Sequence, residues 1–209
     1  LRESQGPDGA WEVRIRATVA KDGLSKDLAA LKILMQTIGN PRVAVLIQET
    51  NMGNTDPAAN KAEMVLLDFL KAKEFRVVDP NQALRFRESP DGVKALGGDP
   101  AAAAKLGALL NAEVIIVGTA VAKESDVSQI QGLAQSGMKS ASATVSLKAF
   151  NVSTREILAA KSTEAAMVHV NAHTAGNKAI EKAVQNLLSP KVGFFEALVE
   201  IWRRGANDG

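Results

Sequence analysis

The chain has 209 residues, with 25 Lys or Arg against 23 Asp or Glu, so its formal net charge is only +2. Apolar residues make up 46% of it, a globular composition in a chain long enough to bury about two thirds of its unfolded surface without a disulfide or structural metal. Cysteine and tyrosine are absent and aromatics reach only 4%, which excludes disulfides, thiolate metal sites and a cysteine nucleophile, and argues against nucleic acid as a partner.

No apolar run approaches the roughly 18 residues of a spanning helix, so no membrane span is expected within these residues. Position 1 is Leu, which suggests a processed piece, and the lack of a leader says nothing about compartment.

In chain order, residues 11–19 alternate Trp11, Val13, Ile15, Ala17 and Val19 with Glu12, Arg14, Arg16 and Thr18, the period of a half-buried strand. A lone strand needs a partner, and an upstream segment is the expected source. Leu28, Leu31, Met35 and Ile38 then recur at helical spacing, and Gly39 with Asn40-Pro41 ends that helix. Residues 42–50 (RVAVLIQET) form a nearly continuous apolar run, as in a parallel strand buried on both faces.

An Asp-Pro pair follows three times, at Asp56-Pro57, Asp79-Pro80 and Asp99-Pro100. Asp accepts from free N–H groups at a helix start, and proline suits the first turn, so each pair predicts a helix. The helix behind Asp56 carries Ala62, Val65, Leu66 and Phe69; the one behind Asp99 carries Ala103, Leu106, Leu109 and Leu110. Asp79 opens a short segment around residues 83–86, and residues 89–98 are expected to be a Gly-rich loop. Strands are expected at 75–78 and 114–122, so the order implies parallel crossovers.

The pattern then changes. Residues 123–140 are polar, with Val127, Ile130, Leu133 and Met138 as the apolar exceptions. Ala143, Val145, Leu147 and Ala149 alternate with polar residues, 151–155 (NVSTR) is a turn, and 156–163 returns, which makes an antiparallel hairpin. Residues 174–188 form a helix ended by Ser189-Pro190, and 192–204 a second whose apolar residues surround most of its circumference. The fold class is therefore α/β: a mixed sheet, parallel crossovers first and an antiparallel hairpin second, with helices on both faces. Three regions are expected: a strand and helix at 1–39 belonging with a small upstream domain, an α/β domain at 40–190, and a terminal helix and tail at 191–209.

Motifs for chemistry are sparse. His169 and His173 stand four apart, but Val170 replaces the Glu of a metalloprotease motif, so capping or surface roles fit them better and no metal is expected. Neither common phosphate-binding glycine motif occurs, nor a nucleophile elbow around Ser136, so no catalytic residue and no cofactor are assigned. Asn151-Val152-Ser153 is a formal glycosylation sequon that fits a turn. Glu49, Asn51 and Asn54 follow the first core strand, where open α/β sheets hold ligands; a plain connection into the next helix is the competing reading. Val127, Ile130, Leu133 and Met138, with Phe194, Leu198 and Trp202 on the terminal helix, are candidate contact residues, against intramolecular packing for the helix.

Residues 42–50, 75–80 (FRVVDP) and 113–121 (EVIIVGTAV), and above all 145–161 (VSLKAFNVSTREILAAK), resemble an envelope α/β domain. That domain is shared by the N-terminal domain of TolB-type proteins, the middle domain of flagellar assembly protein T, and the curli secretion channel family (CsgG-like). Arg155 stands where the family's turn usually has glycine, and the helix from Ala172 also fits. Residues 11–19 (WEVRIRATV), the helix after them and 38–47 (IGNPRVAVLI) resemble the flagellar arrangement.

The resemblance implies a non-enzymatic, periplasmic or outer-membrane-associated bacterial assembly or interaction module, a lipoprotein when full length. Its implied partners are other envelope proteins or copies of itself. It also implies one alternative, a component of a curli-type secretion channel; a second alternative, from the position of Glu49 and Asn51 after the first core strand and not from the resemblance, is a small-ligand binding or hydrolytic protein using that crevice. The channel relatives thread the membrane with hairpins at places corresponding to 125–140 and 163–173. Neither segment contains Phe, Trp or Tyr, so a pore-free relative is expected.

Overall fold

The computed structural model describes residues 2–5, 11–14, 40–55, 60–125 and 137–207. It divides at Gly39 into two units. In the first, β1 (Arg2–Gln5) pairs antiparallel with β2 (Trp11–Arg14), with Arg2 opposite Arg14 and Gln5 opposite Trp11. Of the strand expected at 11–19, residues 11–14 find a partner in β1 within this chain, and residues 15–19 lie outside the described residues. The helix expected around Leu28 to Ile38 lies outside the described residues.

The second unit is a five-stranded sheet in the order β4-β3-β5-β6-β7. Its strands are β3 (Arg42–Asn51), β4 (Arg76–Val77), β5 (Val114–Ser125), β6 (Lys139–Asn151) and β7 (Ile157–His169). β3 lies parallel to β4 and to β5, whereas β5, β6 and β7 run antiparallel in succession. This is the mixed sheet expected, with parallel crossovers first and the hairpin second. β3 reads as an unbroken apolar run because residues 43–47 are buried whichever face they point to.

Helices cover both faces. α1 (Lys61–Ala72) and α5 (Ala172–Leu187) lie on one. On the other, α2 (Pro80–Leu84), α3 (Pro90–Leu96) and α4 (Pro100–Leu109) pack Ala83, Ala95, Ala103 and Leu106 onto Ala44, Leu46, Ile115, Val117 and Phe150. The small alanines allow these short helices to sit close to the strands. That layer stops short of β7. Beyond it the upper face of β6 and β7 carries Thr144, whose hydroxyl donates to Glu164, and Ser146, 2.8 Å from Ser162.

Two of the three Asp-Pro starts occur as expected: Asp79 accepts from Asn81 N–H and Asp99 from Ala102 N–H. The helix expected behind Asp56 instead opens at Lys61, with Asn60 as its cap; Asp56 lies outside the described residues. The expected loop at 89–98 is largely helix, because Ser89-Pro90 repeats the cap-and-proline device with serine: Ser89 Oγ accepts from Gly92 N–H at 3.0 Å. In the β6–β7 turn Asn151 Oδ1 accepts from the N–H groups of Ser153 and Thr154, and Arg155 takes φ 64°, the left-handed conformation that glycine adopts more readily.

The terminal helix, α6 (Phe194–Asn207), is amphipathic and not apolar all round: Phe194 and Leu198 are buried, Glu196 and Glu200 exposed. Phe195 meets Phe69 and Phe75 edge to face, with ring centres 5.1 and 5.5 Å away. Among the described residues no helix is long and apolar enough to cross a membrane.

Candidate functional site

The C-terminal end of β3 gathers the densest set of buried polar groups. Glu49, Asn51, Asn60, Glu63 and Arg87 are all less than a tenth exposed. Their positions follow from one local feature. β4 is two residues long and pairs only with Arg42 and Val43, so beyond that point β3 has no strand on that side. A buried unpaired peptide group is costly, and side chains complete the ladder. Asn60 Nδ2 donates to Ile47 C=O at 2.6 Å, while Glu63 Oε2 accepts from Ile47 N–H at 3.4 Å. Asn60 and Glu63 thus stand in for the missing strand, and Asn60 Oδ1 also caps α1 through Glu63 N–H at 2.9 Å.

Arg87 compensates the buried charge, placing a guanidinium nitrogen 2.8 Å from Glu63 Oε2. Two residues further along the strand, Glu49 Oε2 accepts from Ala62 N–H at 2.7 Å, so the helix start that could hold an anion holds the protein's own carboxylate. Burial raises the pKa of Glu49, opposed by the Ala62 and Lys61 N–H groups, His173 and Lys61. Burial also raises that of Glu63, opposed chiefly by Arg87, with Glu49 adding a smaller upward push.

Asn51 ties the strand to α5. Its Nδ2 donates to His173 C=O at 2.9 Å and to Asn177 Oδ1 at 2.7 Å. Its own Oδ1 is buried without a donor and lies against Gly176, where an added Cβ would stand 1.9 Å from it. Only glycine permits that approach. Asn54 closes a tight turn with Asn51: their backbone groups exchange bonds of 2.8 and 3.0 Å, and Met52 and Gly53 between them take φ 52° and 79°. Those signs fit a hairpin turn with both central residues left-handed. Glu49 and Asn51 are therefore brought together, and both side chains serve internal bonds; Asn54 is exposed.

The two histidines are separated by a change of element. His169 ends β7 and His173 sits in the first turn of α5, whose cap is Asn171. Among the described residues no group of three His, Asp or Glu side chains converges as a metal site would. Val127, Ile130 and Leu133 lie outside the described residues. Met138 precedes β6 and is 40% exposed, Phe194 and Leu198 are in the core, and Trp202 is half-buried. Sequence reasoning passed over Asn60, Glu63 and Arg87; the available signal was a glutamate within the apolar stripe of α1 formed by Ala62, Leu66 and Leu70.

At the other side of the sheet β7 is the outermost strand, and among the described residues nothing pairs with its outer edge. From Ala159 to His169 it stays in unbroken register with β6. It contains no proline and only two charged residues, Lys161 and Glu164.

Residues 70–200 match the model of a family described as curli production assembly/transport component CsgG, which is more than half of the chain. The chain belongs to the CsgG family. It is a bacterial envelope module. No curated protein matches it. Among solved structures it is similar to the hypothetical protein CT253 of Chlamydia trachomatis, at 12% identity and TM-score 0.45, covering 75% of this chain and 98% of that one. It is also similar to lipoprotein GNA1162 of Neisseria meningitidis, at 10% identity and TM-score 0.42, covering 70% and 96%. A third is the PelC dodecamer of Paraburkholderia phytofirmans, at 13% identity and TM-score 0.39, covering 73% and 87%.

Proposed function

We propose that the chain is a non-enzymatic assembly and interaction module that works at the periplasmic side of the bacterial envelope, through surface complementarity with other envelope proteins. The observation that carries this reading is the use made of the polar groups at the end of β3. Glu49, Asn60, Glu63 and Arg87 converge where a ligand would sit in an open α/β sheet, yet they bind Ala62 N–H, the Ile47 peptide groups and each other. A buried carboxylate that already accepts a backbone bond and an ion pair is poorly placed to attack or to exchange protons with a substrate.

The test is crosslinking and affinity purification of the full-length protein from its native envelope fraction. A discrete, reproducible complex is expected; recovery of the protein alone, together with a saturable thermal shift from a metal, nucleotide or sugar, would contradict the reading.

Family membership favours weighing a second reading, a component of a secretion channel. Of the two segments that resemble the channel's membrane hairpins, 163–173 is occupied here by the second half of β7, one further residue, and the cap and first turn of α5. Two membrane strands of about 9 to 11 residues each have no length left there. This supports a pore-free relative. Purified protein reconstituted into planar bilayers is expected to give no discrete conductance steps, and steps above background would establish the channel reading instead.

A further inference from the structure

The side chains that seal the β3 margin also form the base of a cavity. It has a volume of about 200 Å³ and lies between α1 and α2. Asn60, Glu63 and Arg87, each less than a tenth exposed, are its deepest polar groups. Leu67 and Leu84 supply apolar lining, and the exposed Met64 and Asn81 stand at its mouth. Drug-sized ligands occupy roughly 300–1,000 Å³, so this is room for a single side chain.

The base keeps one acceptor in reserve. Glu63 Oε2 takes both the Ile47 N–H and the Arg87 guanidinium. Glu63 Oε1 takes no bond among the described residues and is not sealed from solvent. A carboxylate oxygen at the bottom of an apolar-walled pocket selects a hydrogen-bond donor carried on an apolar body. A lysine or arginine would lose its hydration beside the Arg87 guanidinium, and an acidic group would meet Glu63 itself. A neutral donor is left. Phenol holds its O–H at the tip of a rigid ring, so the donor reaches the base while the ring stays among the apolar walls; indole holds its N–H on the flank.

We infer that this pocket receives a tyrosine side chain of a partner protein, its hydroxyl donating to Glu63 Oε1. A second copy of these 209 residues has no tyrosine to offer. A few aromatic anchors seated in pockets of this kind carry most of the energy of many interfaces. The inference rests on the interaction-module reading and names its anchor point.

The test uses the full chain with p-cresol, which is the tyrosine side chain as a free molecule, with toluene, which lacks the hydroxyl, and with N-acetyltyrosinamide. Binding is followed residue by residue in amide NMR spectra. p-Cresol is expected to bind saturably, at about millimolar concentration, and to shift the amides of Met64, Leu67 and Leu84. Toluene should bind at least about tenfold more weakly, because it leaves Glu63 Oε1 without a donor. N-acetyltyrosinamide should compete for the same place. Leu84→Trp fills the pocket and should abolish binding; Met64→Ala, at an exposed position, should keep the melting temperature and weaken p-cresol by about threefold. No saturable shift, equal affinity for toluene and p-cresol, shifts centred elsewhere, no competition from N-acetyltyrosinamide, or full affinity in either variant that folds would each overturn the inference. A native complex that survives Leu84→Trp would remove this anchor while leaving the interaction-module reading intact.

Discussion

The two margins of the sheet solve one physical problem in opposite ways. At the β3 margin the neighbouring strand is cut to Arg76–Val77, and the buried Ile47 peptide, left without a strand, is taken up by Asn60 and Glu63, with Arg87 balancing the charge. At the β7 margin a thirteen-residue strand has no further strand beside it among the described residues, and the terminal helix α6 packs against it. Sealing an edge with a buried ion pair carries a desolvation penalty, so the sealed margin shows what closing an edge requires, and the open one shows where it was not done. The contrast separates an edge closed by buried side chains from one that no side chain seals and against which the terminal helix packs.

The largest expected effect breaks the seal. Arg87→Met strands the Glu63 carboxylate in the core and should cost about 3–5 kcal/mol in chemical denaturation. Adding Glu63→Met should recover only part of this, because the Ile47 N–H is then orphaned at about 1–3 kcal/mol, whereas adding Glu63→Gln should recover more. Full recovery by the double Met variant would mean that the ladder bond contributes nothing.

Gly176→Ala comes next. It drives a methyl into Asn51 and should cost about 1–3 kcal/mol, relieved when Asn51→Ala is combined with it. Thermal melts of the single and double variants check this.

A smaller effect is expected from pH. Glu49 and Glu63 both have folded-state pKa values above 4.5. The folded protein therefore binds more protons than the unfolded chain between that value and the raised ones, and this contribution to stability falls as pH rises through the window. Glu49→Gln removes one such group, so its melting temperature relative to the parent should improve between about pH 5 and about pH 7.5. A relative decline would reverse the assigned sign. Least of all, Lys161→Ala or Lys182→Ala at the open margin should stay within about 0.5 kcal/mol of the parent, since neither is packed or paired.

What was legible in the sequence divides along the same line. β3 and the β6–β7 hairpin declare themselves because burial on two faces gives a continuous apolar run and burial on one gives alternation, both local patterns. Asp79 and Asp99 announce their helices for the same reason, and Ser89-Pro90 carries the same signal with serine in place of aspartate. Glu49 and Asn51 were legible as polar residues at a ligand-prone end of the sheet. Their use was not, since it depends on Ala62, His173 and Asn177, the last two more than a hundred positions away in sequence. The seal was the least legible part. It arises because β4 stops after two residues, and no local pattern encodes where a neighbour ends.

Residue-resolved hydrogen exchange on the isolated chain tests the contrast most directly. The amide of Ile47, though it has no strand beside it, should exchange only with global unfolding, while alternate amides of β7 between Ala159 and Val168 exchange orders of magnitude faster. A freely exchanging Ile47, or a β7 protected along its whole length in the protein alone, would contradict the account.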